Sequence, residues 1–284
     1  MYKFSFLLFC IILFILPVWA APNYATIDTI AKEAKPLKDA TELEFFTKRL
    51  TRSFKTEEEK ARAILAWIVY NIDYDFYRAE HDPQPDAQMA LDIKINPKTR
   101  RPYIAGADVV ALNEDPNAIT KTITTRLGLC KDLARLYQKM GQYAGLEVST
   151  IEGFVCDPLT PFSGHMWNAV KINGTWKYVD PTWAILEKRP SRQKTAPISA
   201  AMKQKEYEKA VSQRAKRYSP VKKSRDNRVV LDDWFLTNED QMIETHFPLE
   251  RRWQLQKTRV VFEDFLKQRC GMTLEDFLAS TNPH

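Results

Sequence analysis

The sequence predicts an α+β fold: an antiparallel sheet packed against a helix that opens with a cysteine, with a helical C-terminal extension. Three observations carry this expectation. From Cys130 to Tyr143, Leu133, Leu136, Tyr137 and Met140 fall on one stripe at helical spacing. Residues 148–155 alternate as a strand with one buried face. Asn173-Gly174 then separates two β-type runs, 167–172 and 175–180, as the preferred two-residue hairpin turn. The composition suits a folded protein: 44% hydrophobic, 27% charged and a formal charge of +6 over 284 residues. Long disorder, collagen and a multi-span membrane protein are disfavoured, and four cysteines are too few for a disulfide-built scaffold.

Met1-Tyr2-Lys3 followed by an apolar run over 4–19, with Val18 and Ala20 at the positions a signal peptidase reads, predicts a signal peptide over 1–20. The alternative is a retained anchor, for which the run is short against a span of ~20 residues. Cleavage after Ala20 removes Lys3 and Cys10, taking the charge from +6 to +5 and leaving Cys130, Cys156 and Cys270. The expected location is therefore periplasmic or secreted, with no stable membrane span after cleavage. Three thiols cannot all pair internally in an oxidising compartment. Cys156 and Cys270 are a candidate disulfide that would leave Cys130 free.

Residues 21–54 read as an N-terminal helical segment. Its helix over 39–54 has capping-box spacing at Thr41-Glu42-Leu43-Glu44, and a second helix starts at the box Thr56 to Glu59 and ends near Asn71. Five prolines between 79 and 120 break any long element, leaving loop with a short helix at 86–93. The catalytic-core candidate spans 55–186. A basic insertion follows at 187–228, with 14 Lys or Arg against 4 acids, a net +10. It reads as a solvated helix with a weak apolar face (Met202, Tyr207, Val211), or as a contact for an anionic envelope or wall component. The extension 229–284 contains expected helices at 260–269 and 274–278, with His246 and Trp253 packing on the core.

Cys130 opens its helix, where unpaired N–H groups and the positive end of the dipole favour a thiolate and can hold an oxyanion. The hairpin register places a base beside an acid. With Ile172 opposite Thr175, Trp167 faces position 180, so His165 is a same-face diagonal neighbour of Asp180, ~7–8 Å away at the backbone. Cys130, His165 and Asp180 thus form a candidate nucleophile, base and orienting acid.

Gly128-Leu129-Cys130, Gly164-His165-Met166-Trp167-Asn168 and the run from Trp176 to Trp183 together resemble the transglutaminase-like superfamily, whose core is shared with papain-type cysteine peptidases. The helix and entry around Ala66 to Asp75 resemble it too. Trp234-Phe235-Leu236, His246-Phe247-Pro248 and Trp253-Gln254-Leu255 resemble the kyphoscoliosis-peptidase branch. The resemblance implies a Cys130 nucleophile, a His165 base and Asp180 as its orienting acid. The Cys130 backbone N–H is the expected oxyanion donor, with Asn71 and Trp167 as candidates for the second. The implied chemistry attacks a protein or peptide amide and passes through a thioester resolved by water or an amine. The alternative is a catalytically idle interaction module on the same fold. Lys131-Asp132 after the nucleophile departs from the commoner small or aromatic pair. No metal is expected, because neither Cys-x-x-Cys nor paired-His spacing occurs. No cofactor and no nucleic-acid partner are expected.

Overall fold

The computed structural model describes residues 22–34, 37, 39–81, 93–98, 100–104, 117–157, 160–185, 203–216 and 228–281. The signal peptide expected at 1–20, all but Ile93 of the helix expected at 86–93, and most of the basic stretch 187–228 lie outside the described residues; Ile93 itself begins a strand.

Capping chemistry starts the N-terminal helices. In α1 (Tyr24–Glu33), Asn23 accepts the Thr26 N–H at 3.1 Å. Helix α2 (Leu43–Thr51) is entered through a 3-10 turn, Ala40–Glu42, capped by Asp39, which accepts the Thr41 N–H at 2.8 Å. This corrects the capping box expected at Thr41: Asp39 is a better cap placed earlier, and Glu44 instead pairs with Lys48 one turn on. Helix α3 (Glu57–Asn71) does begin with the Thr56–Glu59 box, closed by bonds of 3.1 and 3.0 Å. Its Ile64, Trp67 and Ile68 are buried at the centre of the molecule.

A short parallel pair then aims the chain at Cys130. Strand β1 (Asp73–Tyr74) is followed by α4 (Phe76–His81), by β2 (Ile93–Ile95) and β3 (Pro102–Ile104), paired with each other, and by α5 (Ala118–Thr125). Strand β4 (Leu127–Gly128) pairs with β1, and the Asp75 N–H extends the pairing to the Gly128 carbonyl at 3.1 Å. Helix α6 (Cys130–Tyr143) follows at once, and Gly145 at φ +80° lets the chain leave it.

The main sheet comprises β5 (Val148–Asp157), β6 (Thr160–Ile172), β7 (Thr175–Val179), β8 (Phe235–Thr237) and β9 (His246–Pro248). Their order is β8-β7-β6-β5-β9, antiparallel throughout. Asn173 (φ 49°) and Gly174 (φ 79°) both take the positive φ this hairpin needs, and pairing runs from Ile172–Thr175 to Asn168–Val179. One expectation changes. β6 starts earlier than the sequence suggests, so His165 lies within the strand, opposite Gly153, because β5 is long enough to partner it.

Between and after these strands lie α7 (Pro181–Ile185), α8 (Gln204–Lys216), α9 (Glu239–Met242), α10 (Phe262–Phe265), a π-helical turn (Leu266–Cys270) and α11 (Leu274–Thr281). Val170, Ile172 and Val179 join the core of α3 and α6, while Phe154, Phe247, Phe262, Phe265 and Phe277 form a second core under the C-terminal extension. A disulfide between Cys156 and Cys270 (Cα–Cα 5.4 Å) ties that extension to β5. The basic segment is not wholly solvated. Tyr207 and Val211 of α8 pack on Tyr77 and Leu127, and Arg228 donates to the carbonyls of Val69 at 2.7 Å and Ile72 at 2.9 Å. Among the described residues no helix is long and apolar enough to cross a membrane.

Candidate active site

The sequence at the head of α6 dictates its geometry. Leu129 is extended and carries no capping side chain, so Cys130 is the first helical residue and its N–H has no acceptor within the helix. Asp132 compensates from inside the first turn. Its Oδ2 accepts the Leu129 N–H at 3.0 Å and a bond from Arg78 Nη1 at 3.1 Å, which pins the Gly128-Leu129-Cys130 turn to α4. The Lys131-Asp132 pair is thus partly structural: its acid is buried and holds the Cys130 loop.

His165 projects from β6 beside this turn. Its Nε2 donates to Asp180 Oδ2 at 2.7 Å, which leaves Nδ1 as the ring nitrogen open to Cys130, a group that acts electrostatically on the same imidazole. All three groups are shielded: Cys130 and His165 are each 5% exposed and Asp180 is 0%. Burial by itself would push the imidazole down. The Asp180 charge and hydrogen bond, with the Cys130 contribution, overcome it, and the His165 pKa is pushed up to about 10. Burial likewise works against ionised Asp180, but the bonds and charges of His165 and His246 hold its carboxyl well below the usual carboxylate range. A protonated imidazole facing a thiol across a buried site is the arrangement that supports a thiolate–imidazolium pair.

Asp180 accepts four hydrogen bonds. Oδ1 takes the Thr182 and Trp183 N–H groups at 2.8 and 3.0 Å, which makes Asp180 the cap of α7. Oδ2 takes His165 and also His246 Nε2 at 3.0 Å. Its own N–H donates to the Trp234 carbonyl at 3.1 Å. His246 was expected only to pack the extension on the core. No offset in the chain links it to Asp180, 66 residues away, and nothing local to His246 marks the bond. Asn168 is a second residue the sequence did not single out for a role. Its amide donates to the Ala134 and Ser149 carbonyls at 3.0 and 3.3 Å, tying β6 to α6 and β5.

Of the two side chains considered as a second oxyanion donor, Asn71 has its N–H engaged by the Trp67 carbonyl at 2.8 Å in its own helix. Trp167 stacks near His165, centroids 6.0 Å apart, and its buried indole N–H has no acceptor among the described residues. Trp67 and Trp253 share that condition, so it does not single out Trp167.

His165, Asp180 and His246 also bring three metal-type donor atoms within 4.8 Å of one another. Both Nε2 atoms already bond the same carboxylate oxygen, and this mutual bonding accounts for the closeness of the three. Cation binding would require both imidazoles to give up those N–H donors.

Residues 105–181, which contain Cys130, His165 and Asp180, match the family model described as transglutaminase-like superfamily. The chain is 29% identical over 141 residues to kyphoscoliosis peptidase of Homo sapiens, covering 47% of this chain and 17% of that protein. It is 25% identical over 215 residues to kyphoscoliosis peptidase of Mus musculus, covering 73% of this chain and 23% of that protein. It therefore spans about a fifth of the length of these curated relatives. A crystal structure of a TGase aligns with 14% identity and a TM-score of 0.32, over 56% of this chain and 32% of that one.

Proposed function

Because this chain carries a transglutaminase-like superfamily domain, we propose that it is an exported cysteine-dependent enzyme that opens amide bonds of proteins or peptides through Cys130, His165 and Asp180. The observation that carries the reading is the buried His165–Asp180 bond at 2.7 Å, with Cys130 at the helix start acting on the same imidazole. Asp180 fixes the ring so that Nε2 keeps its proton and Nδ1 faces sulfur. The thiolate attacks the amide carbon, and the developing oxyanion meets the Cys130 N–H at the helix terminus. The C–N bond breaks as His165 Nδ1–H passes its proton to the leaving nitrogen, which departs as an amine and leaves an acyl thioester on Cys130. Water then attacks the thioester with its proton going to His165, and the acid departs. An incoming primary amine in place of water forms a new amide instead. The Cys156–Cys270 disulfide supports export, since such pairs persist in oxidising compartments.

The deep burial of Cys130 and His165 favours one second reading, a domain that binds a protein without turning it over. Iodoacetamide alkylation of Cys130 across pH, in wild type and His165→Ala, separates the two. The enzyme reading expects Cys130 to react at mildly acidic pH and to lose that reactivity in the variant. Equal labelling of both proteins at every pH overturns it. A glutamine-containing peptide with and without a primary amine then distinguishes hydrolysis from transamidation.

A further inference from the structure

We propose that His246 is a positioning residue of the triad, a second imidazole that holds Asp180 for His165 and makes the geometry depend on the C-terminal extension. The inference rests on the proposed cysteine chemistry and adds to it a group that lies 66 residues beyond Asp180.

Both Nε2 atoms converge on one carboxylate oxygen, at 2.7 Å from His165 and 3.0 Å from His246. An ionised carboxylate only accepts, so each imidazole must carry its proton on Nε2. For His246 the other nitrogen is compatible with this: Nδ1 lies 2.7 Å from the Thr245 hydroxyl, which can donate to it. The Asp180 carboxylate sets the proton on Nε2, and Thr245 holds the other edge of the ring. The ring is 1% exposed and is walled by Trp167, Trp183 and Trp234 at centroid distances of 5.0, 4.5 and 5.6 Å, so it has one orientation available. The titratable groups bearing on Asp180 are His165 on β6 and His246 on β9, and α7 presents backbone N–H groups to it. Without His246, Oδ2 keeps a single donor and can swing off the His165 axis. The buried carboxylate also loses part of what keeps it ionised.

The strand that delivers His246 is held from the extension. Val155 is register partner of His246, the neighbouring Cys156 N–H donates to the Thr245 carbonyl at 2.9 Å, and Cys156 is itself joined to Cys270. Gly153, opposite both His165 and Pro248, allows the close approach: a Cβ there would lie 2.2 Å from the Phe247 carbonyl oxygen.

The test is the pH dependence of Cys130 alkylation by iodoacetamide in the full chain, read from the Cys130 peptide by mass, for wild type, His246→Leu, His246→Gln, Thr245→Val and His165→Ala. Near-UV circular dichroism of the buried tryptophans monitors folding. Loss of one bond to a charged acceptor moves the acid limb of His246→Leu up by about one pH unit. Glutamine offers an N–H toward Asp180 and a carbonyl toward Thr245, so His246→Gln returns the limb toward wild type. A purely space-filling role would leave the limb in place in both variants. A folded His246→Leu that follows the wild-type curve overturns the proposal. If His246→Leu does not fold, Thr245→Val decides: a smaller upward shift supports the role, and an unmoved curve overturns it. Wild-type labelling in His165→Ala would sink the triad reading itself. Loss of labelling in His165→Ala beside an unmoved His246→Leu sinks only the role of His246.

Discussion

Replacing Asp180 by asparagine exchanges one oxygen of a wholly buried side chain for an NH2 group, and the bonding around it predicts the consequence. The carboxylate receives four N–H donors: two backbone groups of α7 on Oδ1, and His165 and His246 on Oδ2. An amide has one accepting oxygen and one NH2, so in either orientation two donors face two N–H bonds. The backbone donors cannot change. The imidazoles can, by moving their protons to Nδ1, and the amide NH2 will therefore turn toward them. His165 then presents Nδ1–H to Cys130 and can no longer take its proton. In triads disabled by a wrong tautomer the loss is on the order of 10⁴-fold in kcat, about 5.4 kcal/mol of transition-state stabilisation. The assay is peptide-amide turnover together with Cys130 alkylation, with near-UV circular dichroism to show that the near-isosteric variant is folded. Asp180→Asn turnover within about tenfold of wild type would refute the assignment.

The same pair sets a pH signature of stability. His165 is raised, so its contribution is complete below the unfolded imidazole value of ~6.5 and is lost as pH climbs toward about 10. Asp180 is depressed, so its contribution is complete above the unfolded carboxylate value of ~3.9 and is lost as pH falls. Urea unfolding should show the largest gap between wild type and Asp180→Asn between those limits, narrowing toward pH ~10, and a gap that widens there contradicts the pairing. For the disulfide, closing a loop of separation 114 corresponds to about 4.8 kcal/mol of denatured-state entropy. The double variant Cys156→Ala/Cys270→Ala should unfold at clearly lower urea, and an unchanged midpoint would count against that role. Gly153→Ala forces a Cβ within 2.5 Å of Trp167 Cη2 as well as onto β9; we expect a loss of about 1–3 kcal/mol, and a thermal midpoint equal to wild type would show that β9 is free to yield. Asp132→Ala removes the acceptor of Leu129 N–H and Arg78 and should cost about 1–3 kcal/mol with slower Cys130 alkylation, whereas Asp132→Asn keeps the first bond and falls between.

Local rules carried much of the fold. The Thr56–Glu59 box, the ends of α6 and the two positive φ angles at Asn173-Gly174 each depend on residues within a few positions of one another, and each took the form its residues require. The start of α2 went differently because two cap candidates lay two residues apart and Asp39 competes better than Thr41. β6 began earlier than alternation suggested, since its first residues are ordered by β5 and not by their own pattern.

The division at the active site has the same physical origin. His165 sits on β6 and Asp180 directly follows β7, its partner across a two-residue turn, so turn chemistry and period-two geometry make them neighbours before any packing is considered. Cys130 at a helix start follows equally from local periodicity. The arrival of His246 on the far side of Asp180 and the anchoring of the Cys130 loop by Arg78 through Asp132 were decided by the tertiary structure, which also made the Cys156–Cys270 bond that the thiol count offered only as a candidate. These contacts join segments 54 to 114 residues apart. The His246 and Cys270 contacts exist because burying the aromatic core of Phe154, Phe247, Phe262 and Phe277 folds the extension back onto β5, and no spacing in the chain records where such a collapse will bring two distant side chains. The sequence by itself determined which thiol, which base and which acid could act together. The packed structure decided how the acid is held.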